Sequence, residues 1–222
     1  MSTARVARAP GGLLAALLAA LLAAAWAAAP LAAQDTPLFL LGGGPALPLG
    51  DTRDVAGSGF TVGAAGVFPL AGRLGLELGA SYTRLSLDWD PALVALGIDP
   101  VSFRSAGGFV EGGHYWTGSA TLGLQMLLRA REHRLVPHLH AAAGVARTGT
   151  AELRTWLLGE IEPYPGVLET ALATAVGAGV DVRVGEGMAV FARARYMVLF
   201  TDPVRRTMIP IQLGLALQLE QR

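Results

Sequence analysis

From Ile209 to Glu220 the chain reads IPIQLGLALQLE, and a large apolar residue stands at every second position. Ile209, Ile211, Leu213, Leu215, Leu217 and Leu219 share one face. Pro210, Gln212, Gly214, Ala216, Gln218 and Glu220 share the other. An extended strand separates neighbours in this way because its side chains alternate across the sheet, whereas a helix would scatter the same residues around its axis. The pattern admits a strand with one strongly apolar face and excludes most other folds for this segment.

The same period recurs along the chain. TAVGAGVDVRV (174–184) sets Val176, Val180, Val182 and Val184 against Gly177, Gly179, Asp181 and Arg183. VFARARYMVLF (190–200) sets Val190, Ala192, Ala194, Tyr196, Val198 and Phe200 against Arg193 and Arg195. YWTGSATLGLQMLL (115–128), LVPHLHAAAGVA (135–146), LGLELGASYTRL (74–85) and GFTVGAAGVF (59–68) follow, with a first strand near 38–47. Eight strands are expected. The joins LAGR (70–73), REHR (131–134) and GEGM (185–188) are short, and those near 48–58, 88–113, 148–168 and 201–208 are long. Short joins at one end and long ones at the other describe an antiparallel up-and-down meander. Closing it into a barrel removes two exposed edges.

The sizes of the side chains decide which face points outward. Eight strands carrying Leu, Ile, Val, Phe and Trp at every inner position would overfill a narrow cylinder. With those residues outside, Gly and Ala within leave room for a few long polar side chains. An apolar belt around a polar interior is the pattern of a transmembrane barrel, which also satisfies every backbone group inside the hydrocarbon layer. Glu77 then faces the lumen with Gly75, Gly79 and Ser81, while Leu76 and Leu78 face lipid. A buried carboxylate needs partners. The expected lumen cluster is Glu77, Gln125, His138, His140, Asp181, Arg183, Arg193 and Arg195, acting as structural filling or as a narrow pathway. Parity at the GEGM hairpin, with a three-residue turn, predicts Asp181 directly opposite Arg193 in a cross-strand ion pair. Tyr82, Trp116, Tyr196 and Phe200 lie toward the loop-side strand ends as an expected interfacial girdle, with Phe68 as the best turn-side counterpart.

Residues 1–33 are expected to be a secretory signal peptide and 34–222 the barrel domain. Arg5 and Arg8 precede an apolar run from Leu13 to Ala29, and small residues lead to a cleavage point after Ala33. All 17 basic residues are arginine, and there is no cysteine to build disulfides. Without Arg5 and Arg8, 15 arginines face 17 acidic residues, a formal charge of −2 that speaks against a nucleic-acid partner. No cofactor or metal is expected. His138 and His140 share a strand face, a spacing compatible with part of a metal site, but a closed site needs three or four ligands. Ser81 and Ser119 face the lumen, away from the rim where a lipid hydrolase would need its serine and histidine.

The leader, LFLLGGGPALPLGD, GSGFTVGAAGVFPLAGRLGLELGASYTRL, the later alternating strands and the ending IPIQLGLALQLE together resemble the small outer-membrane β-barrel domain family of Gram-negative bacteria, of opacity-type and OmpA-type form. The resemblance covers nearly the whole chain after the leader. It implies a non-enzymatic outer-membrane protein that serves envelope structure or surface interaction. Outer-membrane lipid would surround it, and a surface partner would meet its long, mildly acidic loops. A narrow pore for small solutes, a lipid-modifying enzyme and a soluble periplasmic ligand-binding barrel stand as alternatives.

Overall fold

The computed structural model describes residues 36–157 and 160–218; the expected signal peptide and the tail of the IPIQLGLALQLE alternation lie outside the described residues. Among the described residues, eight strands close into one ring: β1 (Leu38–Leu49), β2 (Ala56–Ala71), β3 (Leu74–Leu87), β5 (His114–Leu127), β6 (Leu135–Thr150), β9 (Leu168–Gly185), β10 (Met188–Phe200) and β11 (Arg206–Gln218). Each pairs antiparallel with its neighbours, and β1 meets β11 to complete the wall. A second, three-stranded sheet is made from loop segments: β4 (Phe109–Gly112), β7 (Leu153–Leu157) and β8 (Glu160–Tyr164).

Two of the tight joins depend on glycine. Gly72 between β2 and β3 has φ +57°, and Gly187 between β9 and β10 has φ +68°. A side chain at either position would be strained, so glycine sets these two-residue turns. The long joins lie at the opposite end, as the spacing predicted. One of them carries two short helices, α1 (Trp89–Ala95) and α2 (Pro100–Ser105).

Burial reports the direction of each side chain. On β3, Glu77, Thr83 and Leu85 are buried and Leu74 and Tyr82 are exposed. On β10, Phe191, Arg193, Arg195, Met197 and Leu199 are buried, while Val190, Tyr196 and Phe200 are exposed. Leu124, Leu172, Val176 and Leu213 are each more than half exposed. A soluble barrel would turn these residues inward. Here they form the outer surface, which corrects the soluble periplasmic alternative: the wall is built for hydrocarbon. Phe60 pairs with Tyr82 at a ring separation of 6.4 Å, and Phe68 pairs edge-on with Phe39, also at 6.4 Å. Phe60 and Phe68 are separated by roughly 26 Å of tilted strand, or about 20 Å along the barrel axis, comparable to the ~25 Å apolar band of such barrels.

The lumen differs from the expected small-and-polar filling. Toward the loops it holds an apolar layer of Leu85, Tyr115, Met197, Leu199 and Met208 with several alanines. A second apolar cluster consists of Leu40, Ala65, Val67, Phe191 and Ala216. Glycine at other inward positions gives these large residues space: a Cβ on Gly42 would stand 2.6 Å from the Phe191 ring.

Candidate functional site

The charged centre of the lumen is a tie between opposite walls. Glu77 sits on β3, and Arg193 and Arg195 sit on β10, four strands away in either direction round the ring. Arg195 Nη2 donates to Glu77 Oε1 at 2.7 Å, and Arg193 Nη1 donates to Glu77 Oε2 at 3.2 Å. One carboxylate therefore engages both guanidinium groups, and Arg193 also lies over the Phe191 ring, 5.3 Å from its centroid. Glu77 and Arg193 are each 2% exposed, so bulk water does not reach the pair. The two arginines reach inward together because their spacing of two residues keeps them on one face of β10.

Four other expected lumen residues are buried beside this tie. His138 and His140 face inward from β6 with ring centroids 6.3 Å apart. His138 Nδ1 is 3.6 Å from Asp181 Oδ2. Gln125 is buried, and its amide meets no protein partner among the described residues. Glycines on β9 make this crowding possible. A Cβ on Gly179 would fall 2.5 Å from His138 Nε2, and one on Gly177 would fall 2.7 Å from His140 Nε2.

Two details depart from expectation. Asp181 stands opposite Phe191, and Arg193 stands opposite Gly179. The turn is tighter than three residues, and the register shifts between Met188 and Ala189. Asp181 and Arg193 still share the lumen, but Asp181 turns to His138 and Arg193 to Glu77. Arg183 also leaves the cluster. It is exposed at the turn-side mouth, where its Nη2 donates to the Arg131 carbonyl at 2.6 Å. Gln212 belongs with the cluster but was not singled out from sequence. It is buried and lines, with Arg193 and Arg195, a small void of about 10 Å³. Its inward parity on β11 was the available signal.

The four aromatic residues expected at the loop-side interface all point out of the wall. Tyr82, Tyr196 and Phe200 are exposed and Trp116 is half-buried. Ser81 and Ser119 bond to each other across β3 and β5 at 2.8 Å rather than to a histidine.

The second structured region is the loop end. Leu93, Phe103, Val110 and Leu153 form a small core of their own, with Leu87, Trp89, Ile98 and Tyr164 packed against it. Local chemistry starts both helices. The Asp88 carboxylate accepts from the Asp90 N–H, and Asp99 accepts from the Ser102 N–H at 2.9 Å, with Pro100 next in the chain. The hydrogen bonds from Ser102 hold the Asp99 carboxyl below its ordinary value. Arg104 donates to Asp90 at 2.8 Å and ties the helices together. On the sheet, Phe109, Trp156 and Ile161 stand side by side across β4, β7 and β8. Phe109 stacks on Trp156 at 5.3 Å, and Phe109 and Ile161 are about half exposed.

No family model and no curated protein matches the chain. Solved structures do. A major outer membrane protein from Thermus thermophilus aligns with a TM-score of 0.55 at 11% identity, over 82% of this chain and 99% of that one. Neisserial surface protein A aligns with a TM-score of 0.51 at 13% identity, over 82% and 97%. The outer membrane protein OprG from Pseudomonas aeruginosa aligns with a TM-score of 0.50 at 14% identity, over 84% and 97%. With its outward apolar belt and enclosed ion pairs, the chain has the fold of the small eight-stranded outer-membrane β-barrels.

Proposed function

We propose that this protein is a non-enzymatic outer-membrane barrel whose work is done by its loop end, as an envelope or surface-interaction protein. One observation carries the reading: the loops fold into a body with its own hydrophobic core, and that body presents Phe109 and Ile161 outward with the half-buried Trp156 between them. Loops held on a rigid scaffold are the common place for recognition, and a contiguous apolar stripe on an ordered loop marks a contact surface. The lumen supports a filling role for its polar cluster. A water-filled passage would wet Glu77 and Arg193, yet both are buried between apolar side chains.

Two measurements test this reading. The folded barrel in a planar bilayer is expected to give no current above the lipid background. Cells displaying the triple variant Phe109→Ala, Trp156→Ala, Ile161→Ala are expected to lose adhesion to surfaces that the wild type binds, while the heat-modifiable gel shift of the barrel persists. Discrete conductance steps from the wild type, with adhesion equal in both strains, would move the reading to the pore.

A further inference from the structure

We infer that the outer wall at the loop-side rim carries a binding groove for a phosphate-bearing lipid headgroup. The groove has a volume of about 460 Å³ and is lined by Ser58, Phe60, Arg84, Ser86, Trp89 and His114. Phe60, Arg84, Ser86 and His114 all stand at outward parity on β2, β3 and β5, so the groove opens to the surroundings of the barrel rather than to the lumen. Its backbone edge is Gly112 and Gly113, with φ +83° and +63°, where the chain turns sharply and packs against Glu152, Leu153 and Leu87.

The charge at this site is unbalanced. Arg84 Nη2 lies 3.4 Å from His114 Nδ1, and among the described residues Arg84 forms no ion pair. Of the acidic groups nearest in sequence, Asp90 binds Arg104, Glu111 stands opposite Arg154 on the loop sheet, and Asp88 caps α1 through the Asp90 N–H without pairing with Arg84. Ser86 Oγ donates to the Ser58 carbonyl at 3.0 Å and holds the floor of the groove together. A guanidinium with its fork free of carboxylate matches phosphate oxygens in a two-point contact.

The apolar side of the site names an amphiphile as the occupant rather than a free anion. Phe60 lines the groove and also packs on Tyr82, which is exposed on the lipid-facing wall two residues below Arg84. A ligand whose phosphate meets Arg84 and His114 can therefore run its acyl chains down the Phe60–Tyr82 surface into the apolar belt. Cations placed at a membrane surface attract anionic headgroups, and aromatic rings favour the boundary below them. The inference rests on the membrane-barrel reading and is independent of what the loop stripe contacts.

Native mass spectrometry of the folded, detergent-purified chain tests it, with phosphatidylglycerol and phosphatidylcholine titrated together. The wild type is expected to retain phosphatidylglycerol about fivefold over phosphatidylcholine. The variant Arg84→Gln, His114→Gln is expected to lower that ratio toward unity, with its heat-modifiable shift unchanged. Each single substitution reads the same effect if the double variant folds poorly. Arg154→Gln, on the loop sheet, is expected to leave the ratio intact, and millimolar inorganic phosphate is expected to leave the lipid in place. Equal ratios in wild type and variant, or displacement by inorganic phosphate, would overturn the proposal alone. A chain that stays soluble without detergent would overturn the membrane reading with it.

Discussion

Arg195 reaches Glu77 at 2.7 Å across the full width of the barrel, from the strand diametrically opposite. Antiparallel pairing fastens each strand to two neighbours only. This contact, with the second arm from Arg193, fastens two walls that share no backbone hydrogen bond. Its geometry divides what can be removed safely from what cannot, because a broken buried pair leaves charge without a partner.

Glu77→Ala is expected to destabilise the barrel by about 3–5 kcal/mol, since it strands two guanidinium groups away from water. Urea titration of the chain folded in vesicles measures this. Replacing the whole set, Glu77→Leu with Arg193→Met and Arg195→Met, is expected to recover most of the loss, because no unpaired charge remains. A triple variant as unstable as the single one would show that the tie stabilises beyond charge balance.

Space in the lumen is equally constrained. Gly179→Val would drive its side chain into His138 and Arg193, whose atoms lie 2.5 and 2.7 Å from the position of a Cβ. A loss of about 1–3 kcal/mol is expected from this overpacking, read in the same titration. Gly185→Val, where a Cβ meets nothing within 4 Å, serves as the tolerated comparison.

Orientation of the wall has its own test. Leu124→Arg and Leu215→Arg place a charge on the belt, where the native side chains are about half exposed. Each is expected to cost more than about 1 kcal/mol, rising toward about 2–4 kcal/mol with depth in the bilayer. If the belt faced water, both changes would fall within the small range usual for surface substitutions, roughly 0.5 kcal/mol either way.

The loop body should fail separately from the barrel. Leu153→Asp buries a carboxylate in the loop core beside Leu93, Phe103 and Val110. Limited trypsin digestion is expected to cut this variant after Arg154 or Arg104 much faster than the wild type, while the heat-modifiable shift of the barrel is retained. Loss of the shift would mean that the two cores fold as one.

Much of the barrel was legible because one face of each strand is large and apolar. A slip of one residue would invert every side chain, so the pattern fixes both strand and direction. That is why Glu77, His138, His140 and Arg193 were placed inside from sequence. The partner of Glu77 was a choice among several cations, because contacts across a lumen are not dictated by the pairing of neighbours. The Asp181–Arg193 pairing failed on the register shift at Met188, which alternation alone does not reveal. The loop helices did leave local signs, Asp88 and Asp99 ahead of short apolar runs with Pro100 at a helix start. The sheet of β4, β7 and β8 left none, since two separate loops supply its strands.

β6 and β9 are 16 and 18 residues long and stay paired from Leu135↔Val182 up to Gly149↔Leu168. Crossing a bilayer takes only about 9–11 tilted residues. The surplus makes that side of the wall a stiff parapet that stands roughly 10–20 Å proud of the lipid. Whatever approaches from outside meets this raised edge, and the loop segments that spring from it start on ordered strand rather than on flexible chain.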